Sequence, residues 1–414
     1  MMRRSSSTIR LVAALLLAAG CRGEAPRAAG AESPDARIAR IVDSLRPGVE
    51  RAMGVPFRTV PRSAMRSREQ LRRYLVAKLE EPEQERRTQQ SETVYHLLGL
   101  LPDSIRLKAV LLDVLTEQVA GFYDPDSAML FGVAGQDESR TLQTLAHEMV
   151  HALQGQYVRV DSILDDVRDA DRLAASRAVL EGEATVAQIR MMQPDIDLAQ
   201  LGEAWSLLRG QLKDVQATMP AFARAPFVMR EELLFPYLSG GEFMRWWETT
   251  PLRDSLPYGP RMPASTEQIL HPDRYLAGDD PVTVLIDSAG GTGELDDVLG
   301  DLTLRLLTGV LRGSPEPPLA APTGWGGDRY RVVETADGPG LIWYIVWDNA
   351  AVARRFMDAT GAALMARDRP GYRDTLESVG LDGRPATRYV IAPATWEGWA
   401  SLPTARIMPA AARR

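Results

Sequence analysis

Apolar residues recur at helical spacing along much of the chain. Ile38, Ile41, Val42 and Leu45 fall on one face of a segment that turns helical from about Arg37, and Leu71, Tyr74, Leu75 and Leu79 repeat the arrangement. Further helices are predicted over Ile105 to Val119, Asp169 to Met192, Ala204 to Val215 and Glu231 to Glu248. Asp124-Pro125-Asp126-Ser127 reads as a turn, and Ala128 to Val133 as a short apolar strand. Beyond Arg312 the pattern changes. Gly313 to Pro322 carries four prolines and reads as a boundary. Asp328 to Glu334, Leu341 to Trp347 and Ala386 to Ile391 are rich in β-branched and aromatic residues and read as three strands, with a helix over Asn349 to Arg367 between the second and third. The expected fold class is helix-rich α+β: a large helical body over residues 37–312, a linker at 313–322 and a small α+β domain over 323–414.

Composition narrows the picture only a little. With 414 residues and 45% hydrophobic content the chain can bury a large core and is long enough for two domains. Its net charge of −7 argues against nucleic acid as a partner.

The chemistry concentrates in His147-Glu148-Met149-Val150-His151. The flanks are helix formers, with Asp137, Glu138 and Ser139 as N-terminal signals and Gly155 as the expected stop. On a helix, residues four apart share a face, so both imidazoles can reach one ion. Glu148 points about 100° away, badly placed as a ligand to that ion but well placed beside a water in an open coordination position. That combination is suited to zinc-assisted hydrolysis of an amide or ester. The chain has only four histidines, and two of them stand at ligand spacing around a glutamate.

A third ligand must come from elsewhere, and Leu180 to Thr185 offers two carboxylates on the predicted helix Asp169 to Met192. Glu181 is the first candidate; Glu183, two residues on, faces elsewhere, so at most one of them reaches the ion. Ala178, Ala184 and Thr185 are small and would let this helix approach the first closely. His271, between Pro263 and Pro272 in a loop-like segment, is a possible donor to a developing oxyanion or an ordinary capping residue. His96 lies on an apolar helical face and reads as a satisfied core residue. The apolar clusters Leu233 to Tyr237 and Phe243 to Trp247 read as core or cleft wall.

His-Glu-x-x-His followed by a downstream Glu-Gly-x-Ala resembles the gluzincin branch of the zincin-like metallopeptidases. The resemblance implies that His147, His151 and Glu181 bind Zn2+ and that Glu148 is the general base, acting on a peptide or protein substrate. Gln118 to Gln156, Pro263 to Pro272 and Trp325-Gly326-Gly327-Asp328 are similar to segments of a group of uncharacterised bacterial and archaeal metallopeptidases. In such folds an edge strand ahead of the active-site helix can line the cleft, a role open to Ala128 to Val133 beside that of an ordinary core strand. A non-catalytic metal-binding or assembly module on the same fold, or a zinc hydrolase of a non-peptide amide or ester, are the alternatives.

Arg3 and Arg4, the apolar run Leu11 to Ala19 and then Gly20-Cys21 read as a signal peptide over residues 1–20. Cys21, the sole cysteine, resembles the lipidated cysteine of bacterial lipoproteins, which implies a membrane anchor at the cell envelope; a cleaved secretory signal is the alternative. Residues 21–36 read as a flexible tether.

Overall fold

The computed structural model describes residues 32–408 except 165–168, 196, 199–201, 203–204, 206–208, 211–213, 215, 217, 288–294 and 314–322. Outside the described residues lie the expected signal peptide, Cys21, most of the tether, much of the helix over 204–215 and the linker beyond Gly313. The fold is helix-rich α+β.

Helix α1 (Pro34–Met53) starts ahead of the expected Arg37 because Ser33 caps it, accepting from Ala36 N at 3.2 Å, and Pro34 needs no hydrogen-bond partner at the first position. Its buried stripe of Ile38, Ile41, Val42 and Val49 packs against β3 (Met129–Val133) and α5 (Glu138–Tyr157). Helices α2 (Arg68–Leu79), α3 (Pro82–Leu98) and α4 (Leu107–Gln118) follow β1 (Arg62–Arg66). A small sheet has the order β1-β3-β2, with β2 at Gly121–Asp124. The expected strand before α5 is therefore the central one. β3 is parallel to β1 and antiparallel to β2, so both its edges are used and it cannot pair with a substrate strand. Asp124 Oδ2 accepts from Ser127 Oγ at 2.5 Å and closes the β2–β3 turn.

After α6 (Val160–Leu164), helix α7 (Ala170–Met192) runs beside α5 and, more closely, beside α9 (Phe227–Trp247), which follows the short α8 (Pro220–Arg224). Ala178 and Gly182 admit α9 rather than α5: a Cβ on Gly182 would collide with the Gly240 carbonyl, and one on Gly240 with the Ala178 carbonyl. Ala184 faces the other way, into the cluster with Leu145 and Met149 of α5.

The segment Pro263 to Pro272 is not a loop. It holds α10 (Thr266–Leu270), capped by Ser265, and then α11 (Pro272–Ala277). Two short strands, β4 (Val284–Ile286) and β5 (Leu295–Asp297), precede α12 (Gly300–Leu311). The expected three strands appear as β6 (Trp325–Thr335), β7 (Gly338–Trp347) and β9 (Arg384–Pro393), joined by β8 (Tyr372–Leu381) and β5 in an antiparallel sheet of order β5-β6-β7-β9-β8. β5 lies upstream of residue 313, so the sheet takes its edge strand from before the expected linker. The helix after β7 is α13 (Ala350–Phe356), a π-turn over Met357–Gly361 and α14 (Ala362–Met365). One sheet face, including Trp343, Trp347 and Tyr389, shares a core with Leu97, Val179, Phe243 and Leu306 of the helices. The other is covered by β4, β10 (Ala405–Ile407), Trp396 and Trp399. No helix among the described residues is long and apolar enough to cross a membrane.

Candidate metal centre

Helix α5 begins where the sequence places it, with Asp137 accepting from Arg140 N at 2.8 Å. It does not stop at Gly155. Tertiary bonds hold the last turn: Gln156 Oε1 accepts from Arg58 N at 2.8 Å, and Tyr157 donates to the Pro56 carbonyl at 2.7 Å. They offset the cost of a glycine inside a helix, about 1 kcal/mol.

His147 and His151 stand on the same face of α5 with ring centroids 4.8 Å apart. α7, capped by Asp169, brings Glu181 across to them: Glu181 Oε2 is 3.0 Å from His147 Nε2 and 3.4 Å from His151 Nε2. The ligand atoms of the three side chains all lie within 4.8 Å of one another, and this is the one group of its kind among the described residues. His147, Glu148, His151 and Glu181 are 2%, 0%, 5% and 7% exposed, so the centre is shielded from bulk water.

The histidine partners decide which nitrogen is presented. His151 Nδ1 lies 2.7 Å from Gln154 Oε1, an acceptor only, so Nδ1 carries the proton. His151 Nε2 is buried without a hydrogen-bond partner and faces Glu181. A neutral imidazole with Nδ1–H has its lone pair on Nε2, the tautomer a metal requires. Gln188, which acts on His147 from α7, is held by its amide nitrogen donating to the Gln143 carbonyl at 3.2 Å. Two imidazoles and one carboxylate form a three-ligand set that leaves a fourth tetrahedral position open.

Electrostatics favour a cation here. Although burial opposes it, the charges and hydrogen bonds of His151 and His147 hold the Glu181 carboxyl down at about 2. Burial likewise opposes the charge on His151, yet Glu181 pushes it up to about 9, while burial lowers His147. The field that draws a proton between His151 and Glu181 would draw a metal ion there instead, with release of that proton.

Glu148 points off this face, and its Oε2 accepts from the backbone N–H of Tyr123 on β2 at 2.8 Å. A cavity of about 440 Å³, lined by Tyr123, His151, Gln154, Tyr157, Arg159 and Leu180, opens beside the centre. Glu183 lies outside the group of His147, His151 and Glu181. It accepts from Gln154 Nε2 at 2.7 Å and from the Tyr258 hydroxyl, and thereby steadies the residue that holds His151. Gln154 and Tyr258 escaped the sequence reading. Gln154, one turn beyond His151, was within reach of a spacing argument; Tyr258 was not.

The remaining histidines are engaged elsewhere. His271 Nε2 lies 2.7 Å from Arg305 Nη2, a pure donor, so this nitrogen accepts and cannot donate to an oxyanion. His96 is half-buried and meets the Ile105 carbonyl at 3.0 Å.

A domain family described as Domain of unknown function (DUF8575) matches residues 292–394, the stretch from just before β5 to the end of β9. It begins ahead of the proline-rich segment, in agreement with a sheet that recruits β5. No curated protein and no solved structure matches the chain.

Proposed function

We propose that the protein is a zinc-dependent peptidase, with His147, His151 and Glu181 as ligands and Glu148 as general base. The observation that carries this reading is the orphaned, buried Nε2 of His151, turned toward Glu181 by the Gln154 contact on Nδ1. A purely structural site needs no carboxylate beside it, yet Glu148 is fully buried next to these ligands, with one oxygen anchored on a strand amide.

Bound zinc supplies a Lewis acid that lowers the pKa of its water to about 7 and polarises the substrate carbonyl. Glu148 takes the proton from the attacking water and passes it to the leaving amine. The Tyr123 amide restricts the swing of that carboxylate, so the base is oriented before substrate arrives. Tyr237, on α9 with its ring 5.9 Å from that of His147, is the donor we assign to the developing oxyanion. Peptide enters through the cavity beside Tyr123 and His151. Residues 1–21 support a lipid-anchored location at the cell envelope for this activity.

Zinc content and cleavage of a mixed peptide library, measured on wild type, Glu148→Gln and Glu181→Gln, test the assignment. Glu148→Gln should keep zinc and lose turnover by at least ~100-fold, the usual worth of a general base; Glu181→Gln should lose zinc affinity. Equal turnover in wild type and Glu148→Gln rejects the base, and a metal-loaded wild type without hydrolysis favours a binding module.

A further inference from the structure

A second cavity, of about 310 Å³, lies between α3, α7, α9 and α12. Most of its wall is apolar, including Val94, Leu173, Leu233, Phe235, Val298 and Leu302. Two cations, Arg87 and Arg177, break that surface, and the carboxylates of Asp171, Glu232 and Asp297 also reach it. Arg177 of α7 lines the cavity and makes no hydrogen bond or ion pair with any described residue, although a guanidinium has five N–H donors.

Glu181, one turn on in α7, offsets part of the Arg177 charge without a hydrogen bond, and the carboxylates of the cavity wall have other partners. Asp171 accepts from Thr266 N at 3.0 Å and from the Thr266 hydroxyl. Asp297 accepts from Ala170 N and Val298 N, each at 2.8 Å. Glu232 takes the Tyr95 hydroxyl, and burial pushes its carboxyl up to about 7, so it is largely neutral below that pH. Arg87, also in the wall, has Glu83 as partner at 2.8 Å. Burial first, and then the charge of Arg87, lower the pKa of Arg177. A half-buried guanidinium facing a second one, with no described residue on its donors, is an arrangement an anion relieves.

We propose that this cavity binds the carboxylate of an apolar acid, with Arg177 as the counter-ion and the hydrophobic wall around the acid's body. The volume is at the small end of ligand pockets, roughly 300 Å³, which suits one aryl or short alkyl group with its carboxylate. The assignment rests on the cavity alone and does not require the metal centre to be catalytic. Two sources share this chemistry: a free carboxylic acid, and the C-terminal residue of a peptide. Arg177 lies one helical turn before Glu181 on the same face of α7, so the second source would bring a peptide end near the metal centre.

Calorimetric titration of the full chain with 3-phenylpropanoate and 3-phenylpropanamide, and with N-acetyl-alanyl-phenylalanine and its C-terminal amide, tests this. At least one acid should bind ten-fold or more tightly than its amide. Tighter binding of the peptide acid identifies the C-terminal source, and tighter binding of phenylpropanoate the free acid. The preference should persist after chelation of metal and disappear in Arg177→Met. Ser91→Phe, which fills the cavity from α3, should abolish binding and stands in for Arg177→Met if that variant does not fold. The proposal is overturned if acid and amide bind alike, if neither binds, if chelation removes the preference, or if either folded variant retains it.

Discussion

His151 donates from Nδ1 to the side-chain carbonyl of Gln154 across 2.7 Å. Gln154 is itself immobilised, donating from Nε2 to Glu183 at 2.7 Å and to the Leu180 carbonyl at 3.0 Å, with the Tyr258 hydroxyl 3.3 Å away. The ring orientation of His151 is thus set by α7 as well as by its own helix. Removing an outer partner of a ligating histidine costs about 10–100-fold in metal affinity. Gln154→Ala should weaken zinc binding by that factor while the helical content of the protein stays unchanged. Competition with a calibrated chelator measures it, and an unaltered affinity would remove Gln154 from the centre.

The crossing of α7 and α9 makes a second demand on the same helix. Gly240 lies against the Ala178 backbone so closely that a methyl group has no space, and the atom in the way is a carbonyl that cannot swing aside. Gly240→Ala must push the helices apart, and overpacking of this kind costs typically about 1–3 kcal/mol. α7 also carries Glu181, so zinc affinity should fall with stability. Chemical denaturation and chelator competition on the same variant check both, and a variant as stable as wild type would show that the helices tolerate separation.

The three side chains that could hold a metal were legible because each depends on local order. His147 and His151 need only one turn of helix, and the capping aspartates Asp137 and Asp169 mark where α5 and α7 begin. What was illegible depends on partners distant in the chain. Gly155 reads as a stop until Gln156 and Tyr157 find Arg58 and Pro56. β3 becomes central only when β1 pairs with it. β8 went unseen because it is a sheet edge, largely half-buried or exposed, and its Arg373, Asp374 and Glu377 dilute the apolar signal. His271 reads as a candidate donor because nothing near it in sequence announces Arg305.

Asp328, in the Trp-Gly-Gly-Asp segment, proves to be a structural anchor. Its carboxylate accepts from Leu299 N at 3.0 Å, Gly300 N at 2.9 Å, and the indoles of Trp325 and Trp343, each at 2.9 Å. It ties the start of α12 to β6 and β7 inside the shared core. Asp328→Ala strands all four donors in a buried site, where each unmade bond costs about 1–3 kcal/mol. Destabilisation should exceed about 3 kcal/mol, read from urea unfolding, with metal affinity little changed in protein that remains folded. A loss below about 1 kcal/mol would mean that water replaces the carboxylate.

Glu267 sets a pH dependence apart from the metal centre. It is 3% exposed and its Oε1 is buried without a hydrogen-bond partner. Burial, and then the charge of Asp301, push its carboxyl up from an ordinary 4.5 to about 8, with Arg274 opposing and Asp348 and Asp279 adding to the rise. A carboxyl whose folded pKa is raised favours the folded state while protonated in it, and that contribution is lost as pH climbs from the unfolded value through the folded one. Glu267 should therefore make the protein progressively less stable between about pH 4.5 and 8, with no further effect above that range. Glu267→Gln keeps the shape without the charge. It should flatten this part of the stability profile and leave the variant more stable than wild type at pH 8, as measured by thermal unfolding across the range. Parallel profiles for the two proteins would place the ionisation of Glu267 near its ordinary value and refute the effect of its burial.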